Sequence, residues 1–315
     1  ISKGDATIIV TADDFSSNPV SASCEIGVKI VTPITGMTFT EDTELNQLGY
    51  GQEYQIKYTL EPVDATASLL TWASDNPEVI SVDKTGKLKV HTTKTASAVI
   101  TASYGPVVQN VTVTVADGRF WYSLGNGLGN GLDNNWYLDG NNASVVSSDG
   151  NKTTVQMGSG YRGDLWLARS GKGKIVNVTP ADYRYFAIKV GFKSQLVPGK
   201  NKPNGCIKLE IFDDGIKKIG PEYFGTGGDA NNRYEILGAS EISTTEPNVL
   251  YYDLQSKYKT VTPTDWNQVF DLVQCKFVIA DFPETAQTYD LYWIRSFKSI
   301  EELQAFVDSE NNTNE

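Results

Sequence analysis

Runs of six to ten residues rich in Val, Ile, Thr and Tyr, each closed by Gly, Asn, Asp or Pro, recur along almost the whole chain. Ala6–Thr11, Tyr54–Leu60, Ala98–Tyr104 and Val107–Val115 stand in the first part. Tyr183–Phe192, Cys206–Phe212, Val249–Leu254, Lys276–Phe282 and Thr288–Phe297 stand in the second. β-Branched and aromatic side chains suit a pleated surface, and the polar clusters supply turns between strands. With no helical segments between the strands, nothing provides the crossovers of a parallel sheet. The expected fold is therefore all-β, built from antiparallel sandwiches. At 315 residues the chain has room for two or three such units.

Charge and scarcity of certain residues narrow the function. The chain carries 27 Lys+Arg against 38 Asp+Glu, a net charge of −11, and has no basic block. Such a surface repels phosphate backbones and anionic lipid, so no nucleic-acid partner is expected. No run approaches the ~18 apolar residues of a membrane helix, so no transmembrane segment is expected in this chain. The single histidine, His91, removes His-rich zinc sites and would have to serve any Ser-His-Asp triad alone. It ends the Lys87–Val90 run beside Thr92-Thr93-Lys94 and reads as a surface residue. The three cysteines, Cys24, Cys206 and Cys275, form no CxxC. Cys206 and Cys275 lie in apolar runs and read either as buried free thiols or as one bridge, which spacing does not decide.

The composition shifts near Ala116-Asp117: five of six Trp and twelve of sixteen Tyr come after it. Before it there is an internal repeat. Ala6-Thr7-Ile8-Ile9-Val10-Thr11-Ala12 resembles Ala98-Val99-Ile100-Thr101-Ala102 at an offset of 92 residues, and each is followed by a second strand, Ala22–Ile30 and Val107–Val115. A period this long indicates tandem domains rather than a solenoid. The first copy lacks its front half, so residues 1–31 read as the last hairpin of a preceding repeat. Residues 32–116 then form one full unit, 117–308 a second, and 309–315 a polar tail.

Ile34-Thr35-Gly36-Met37, Leu60-Glu61-Pro62-Val63-Asp64-Ala65-Thr66, Leu70-Thr71-Trp72-Ala73-Ser74-Asp75-Asn76-Pro77, Val79-Ile80-Ser81-Val82-Asp83 and Gly86-Lys87-Leu88 span the first full unit. With the Ala98–Thr101 strand they make residues 33–115 resemble the group-2 bacterial immunoglobulin-like domain. Ala96 departs from the family, which usually has glycine there. The resemblance implies a spacer or stalk on an exported, surface-exposed protein, anchored at the outer membrane through a segment upstream of Ile1. Trp72, in a short apolar strand before a Ser-Asp-Asn-Pro turn, is expected to pack between two sheets.

In the second unit, Gly125-Asn126-Gly127-Leu128-Gly129-Asn130-Gly131 has phosphate-loop spacing, but Leu132–Tyr137 continue as loop and aromatics rather than helix. It reads as a flexible surface loop. Phe186, Ile188, Val190 and Phe192 form the apolar face of one strand, with Tyr185, Ala187, Lys189 and Gly191 opposite. Ile207, Leu209 and Ile211 alternate likewise. Ser299-Ile300-Glu301-Glu302 is a capping box opening a short amphipathic helix with Ile300, Leu303 and Phe306/Val307 on its stripe.

Glu210 and Asp213 are the nearest candidate for a glycosidase carboxylate pair, but an offset of three sends them to opposite faces of a regular strand. No catalytic residue is assigned, and the chain is expected not to be an enzyme. No cofactor is expected. Structural calcium is left open for the Asp133-Asn134-Asn135 and Gly227–Asn232 loops, which lack EF-hand spacing.

What remains is aromatics beside Gly, Asn, Asp or Pro: Trp121, Trp136, Tyr137, Trp166, Tyr183, Tyr223 and Trp266, with Arg162 among the polar neighbours. Flat rings cover the CH-rich face of a sugar at little entropic cost, and polar groups then reach its hydroxyls. For each ring, local packing is the alternative. The Tyr185–Phe192, Val249–Leu254 and Lys276–Phe282 strands and the closing Leu291–Leu303 segment resemble a family of uncharacterised jelly-roll domains at the C-terminus of bacterial surface proteins. Those proteins belong to polysaccharide-uptake systems. The expectation is thus a jelly roll that captures a polysaccharide or oligosaccharide without cleaving it, near the transporter and glycanases of the same system. A surface adhesin with a protein partner, and a sandwich-fold glycoside hydrolase or lyase, are the alternatives.

Overall fold

A computed structural model describes residues 4–12, 20–28, 30–130, 136–139, 143–157, 162–168, 176–193, 207–213, 234–255, 267, 269–280 and 287–312. The fold is all-β with one short C-terminal helix. The first strands are β1 (Gly4–Ala12) and β2 (Val20–Val28), followed by β3 (Gly36–Phe39), β4 (Leu48–Tyr50), β5 (Glu53–Gln55), β6 (Tyr58–Glu61), β7 (Thr71–Ser74), β8 (Ile80–Val82), β9 (Lys87–Val90), β10 (Ala96–Tyr104) and β11 (Val107–Ser123). The remainder holds β12 (Tyr137–Asp139), β13 (Ser144–Ser148), β14 (Thr153–Gln156), β15 (Arg162–Ala168), β16 (Val176–Val178), β17 (Tyr185–Phe192), β18 (Ile207–Asp213), β19 (Glu235–Ile236), β20 (Asn248–Asp253), β21 (Phe270–Ala280), β22 (Thr288–Phe297) and helix α1 (Ile300–Asn312).

Period-two alternation organises the first sandwich. β10 turns Ala98, Ile100 and Ala102 inward, all at most 1% exposed, while its ladder partner β11 turns in Val113 and Val115. Facing Ala98, Ile100, Val113 and Val115 is the β5–β9–β8 sheet with Ile80, Leu88 and Val90, while Ala102 packs with Ile34, Met37 and Leu70. The run expected as one strand over Tyr54–Leu60 is two, because buried Ile56 marks a corner: β5 pairs with β9, and β6 with β3. Trp72 lies between the sheets as expected, half-buried, stacked on Phe39 at 5.9 Å and 14°. Gly86, at φ +83°, lies under its indole, where a Cβ would come within 2.6 Å of the ring. His91 is half-buried rather than on the surface, and its Nε2 lies 2.8 Å from Ser81 Oγ.

β11 runs past Val115, where the sequence pattern ends, as far as Ser123. It bends at Gly118 (φ +66°) and shifts register between Val115 and Phe120. It is therefore shared: its first half pairs with β10, its last residues with β22. The sheet so formed follows the order β19-β20-β17-β22-β11-β10-β7, with β14 added on β22 and β4 on β11. Against it stands a five-stranded sheet, β12-β15-β21-β16 with β18 on β21. Between the two lies the larger core, which takes Phe186, Ile188, Val190 and Phe192 as expected, together with Leu209, Ile211, Trp136 and Phe277.

The opposite face of β17 is not left to solvent throughout. Ala187 is fully buried beside Trp293 and Phe297, where α1 seats Leu303, Phe306 and Val307. Ser299 caps α1 through its Oγ, which accepts from Glu302 N–H at 3.2 Å. The Glu302 carboxylate reaches back to Lys298 N–H at 2.7 Å, one residue before the cap.

The two bodies are stitched together. Tyr50 of β4 packs into the larger core against Phe120 and Tyr122. Thr93 Oγ1 donates to Asn177 Oδ1 at 3.0 Å and accepts from Asn177 N–H at 2.9 Å, both buried. Arg119, itself buried, pairs with Glu44 at 2.9 Å. Cys275 is a buried free thiol, whose pKa burial pushes far up, and Cys24 is exposed; Cys206 lies outside the described residues. None of the described helices is long and apolar enough to cross a membrane, which says nothing of β-barrels.

Candidate functional site

The described surface offers an open groove on the outer face of the larger sheet, beyond the area α1 covers. It measures about 680 Å³ and is lined by Lys189, Tyr292, Val249, Pro247, Glu246 and the end of α1, with Asn151 at its rim. A β-bulge makes it. Lys189 pairs with Trp293 and the next residue, Val190, with Leu291, so Tyr292 is the extra residue of β22 without a ladder partner. Its carbonyl instead accepts from Leu124 N–H at 2.8 Å. Freed from strict alternation, the half-buried Tyr292 ring lines the groove, with Lys189 Nζ 5.5 Å from its centre.

Polar groups surround that ring. Glu310 of α1 accepts from both Lys189 Nζ and Trp293 Nε1 at 3.1 Å, and so ties the helix end to the groove floor. Two residues from Tyr292, the Asp290 carboxylate is nearly fully buried. It accepts from Lys152 at 2.8 Å, Lys193 at 2.9 Å and Thr154 at 2.7 Å. Burial alone would raise its pKa, but these three donors outweigh that and hold it below the ordinary value. Burial raises the Tyr292 phenol, which therefore stays protonated and able to donate at neutral pH.

The other sheet carries a second cluster, on the face turned away from the core. Tyr137, Trp166 and Lys276 stand side by side across β12, β15 and β21, and Glu210 of β18 occupies the next ladder position. Lys276 Nζ lies 4.5 Å from the Trp166 ring centre and 3.2 Å from Asp164 Oδ2. Tyr137, Asp164, Trp166 and Lys276 are all 6–8% exposed, so these rings are covered rather than open.

The loop aromatics singled out from sequence thus meet different fates. Tyr137 and Trp166 come together, with Arg162 in the same strand as Trp166. Trp136 is fully buried against Phe277, and Tyr183 is 5% exposed with Lys298 Nζ 5.6 Å from its ring centre, so neither presents an open face to a ligand. Trp121 is half-buried under α1, edge-on to Phe306 at 5.2 Å, with the Arg119 and Arg295 guanidinium groups at 4.6 and 4.4 Å from its ring. Tyr223 and Trp266 lie outside the described residues, as do both candidate calcium loops. The glycine-rich stretch is held rather than loose at its start: buried Gly125 accepts from Gly150 N–H at 3.0 Å. Sequence reasoning missed Tyr292 because it reads as one more residue of a regular closing strand. Nothing in a single sequence marks the bulge.

No curated protein matches the chain. Two solved structures show distant similarity. One is "Structure of surface layer protein SbsC, domains 1-6", at 11% identity over 86% of this chain, with a TM-score of 0.21. The other is "Crystal structure of the S-layer protein rSbsC(31-844)", at 10% identity over 87%, with a TM-score of 0.20. The chain spans only 31% and 35% of those two chains, and likeness at this level carries no functional argument. A family match does cover more than half of the chain: residues 127–303, which include the groove strands and the five-stranded sheet, match the family described as Domain of unknown function (DUF4979), and the chain belongs to that family.

Proposed function

We propose that the chain is a non-catalytic, surface-exposed glycan-binding protein that captures a polysaccharide in the Tyr292 groove. The observation that carries this reading is the bulge, which turns one aromatic ring out of a closing strand into an open groove. Val249 and Pro247 extend the apolar floor, while Lys189, Glu310, Glu246 and Asn151 stand within reach of hydroxyls. An apolar platform ringed by a few oriented polar groups is the arrangement that suits a sugar. The smaller sandwich acts as a spacer in this reading, and repeated shallow contacts along a polymer raise its local concentration for separate transporters and enzymes. Export and surface display rest on the immunoglobulin-like resemblance of residues 33–115.

Affinity electrophoresis against a panel of polysaccharides tests the reading. Retardation by at least one glycan is expected, weakened roughly 3–10-fold in Tyr292→Ala, as loss of one ring contact implies. Retardation that Trp166→Ala abolishes and Tyr292→Ala leaves intact would move the site to the opposite sheet. Absence of retardation on every gel would overturn glycan capture in favour of a protein-binding surface role. Release of sugar products from a retained glycan would overturn the non-catalytic reading.

A further inference from the structure

Part of the Tyr292 groove does not belong to the sheet. Val307, Glu310 and Asn311 of α1 line it together with Lys189, Val249 and Tyr292 of the strands. The groove is therefore complete only while α1 is seated. At 13 residues α1 is near the length, roughly 12–15 residues, below which an isolated helix is marginal in water. It holds its shape through what it packs on.

The seat is a caged cation. Arg295 of β22 is 9% exposed, and its guanidinium carbon lies 4.2 Å from the Phe306 ring centre, 4.4 Å from that of Trp121 and 5.4 Å from that of Trp293. Its Nε has no hydrogen-bond partner among the described residues. Burial lowers its pKa to about 10, so it stays charged at neutral pH. A buried cation short of partners is costly, and water removes that cost when the cage opens. The aromatic rings offset it from the closed side, since each attracts the guanidinium. Phe306 is the ring that α1 contributes. Lifting α1 thus breaks one cation–π contact and rehydrates Arg295, and the two effects oppose each other. Fully buried Leu303 and Glu310, which accepts from Lys189 and Trp293, supply the rest of the hold.

We infer that α1 is a clasp: seated on Arg295 through Phe306 it completes the groove, lifted it removes one wall, and a glycan that touches both sheet and helix holds it shut. Arg295 and Phe306 are positioning residues in this scheme, for neither lines the groove. The inference rests on the glycan reading of the groove and adds a coupling between capture and helix docking. That coupling is reciprocal. A glycan that binds only the seated form raises the protection of α1 by about 1 + [L]/Kd, and loosening α1 weakens the glycan by the fraction still seated.

The test combines affinity electrophoresis on laminarin, xyloglucan, galactomannan and pullulan with hydrogen exchange of the full chain. Each polysaccharide that retards the protein is added at ten times its Kd, where amides of residues 300–312 are expected to exchange about ten-fold more slowly than without it. Phe306→Ala is expected to speed that exchange in the absence of polysaccharide and to weaken retardation at least about three-fold. Amides of β17 and β22 should keep their protection in this variant, as they do when the sheets stay folded. Phe306→Tyr keeps a ring over Arg295 and is expected to bind within about two-fold of wild type. Retardation with α1 exchange unmoved by the polysaccharide, or undiminished in Phe306→Ala, overturns the clasp and leaves the glycan reading standing. Loss of β17 and β22 protection in Phe306→Ala also overturns it, because the helix then belongs inseparably to the core. So does a Phe306→Tyr variant that binds no better than Phe306→Ala. No retardation on any of the four gels overturns the glycan reading and the clasp with it.

Discussion

Two hairpins with matching sequence patterns have opposite environments. In β10–β11 the inward side chains Ile100 and Ala102 are fully buried, whereas their counterparts Ile8 and Val10 in β1–β2 are at least half exposed. Strand propensity and turn chemistry suffice for both ladders, which have nine paired rungs each. What separates them is the second sheet. Burial of a branched aliphatic side chain is worth roughly 1.5–3 kcal/mol only when something lies opposite to exclude water. The same residues therefore contribute to stability in one place and form a sticky, unsatisfied face in the other.

Thiol chemistry is the largest expected contrast. Cys24 should alkylate at the rate of a free thiol in the native protein. Cys275, buried and with its pKa pushed up, should be slower by a factor on the order of 10³ or more, since a core thiol reacts only through opening. Comparable native labelling of the two cysteine peptides would break the comparison. Next comes truncation. Ile100→Ala is expected to cost about 2–5 kcal/mol in urea unfolding, against about 0.5 kcal/mol or less for Ile8→Ala. Equal losses would mean that the hairpin is already covered in this chain.

Gly86→Ala probes the half of the sandwich that covers β10–β11. A Cβ at φ +83° under the Trp72 ring is expected to cost about 1–3 kcal/mol while leaving hydrogen exchange of β1–β2 unchanged. The smallest effect concerns the segment that leaves each hairpin. β11 leads through Gly118 into the larger body, held by the buried Thr93–Asn177 pair, whereas Ile30 and Val31 after β2 are exposed. Thr93→Val removes both bonds and should cost about 1–2 kcal/mol, read as a lowered midpoint of thermal unfolding with the wild-type circular dichroism spectrum retained. An unchanged midpoint would show that the Thr93–Asn177 bonds add nothing to the coupling, leaving it to the shared strand, Tyr50 and the Arg119–Glu44 pair.

The strands themselves were legible because their periodicity is local. Thr288–Phe297 forms a strand with the bounds read from the sequence, the Phe186–Phe192 face enters the core, and the α1 stripe seats Leu303. The candidate site was far less legible. Trp136 and Tyr183 sit beside loop residues in sequence, yet both are buried, and neighbours along the chain cannot reveal which side of a sheet a loop closes over. Tyr292 escaped notice for the opposite reason. It belongs to a strand whose alternation looks regular, and the bulge that re-aims it arises from how β17 and β22 register against each other.

The all-β class, the strand positions, the repeat and the apolar face of each hairpin follow from local chemistry, because β-propensity, turn residues and period-two alternation act over a few residues. That one such face is buried and its twin bare, that β11 serves both bodies, and that Tyr292 opens into a groove came from the packing of distant segments. Each of these depends on which distant strand lies opposite, and burial, sheet continuity and register are properties of pairs of segments rather than of either one.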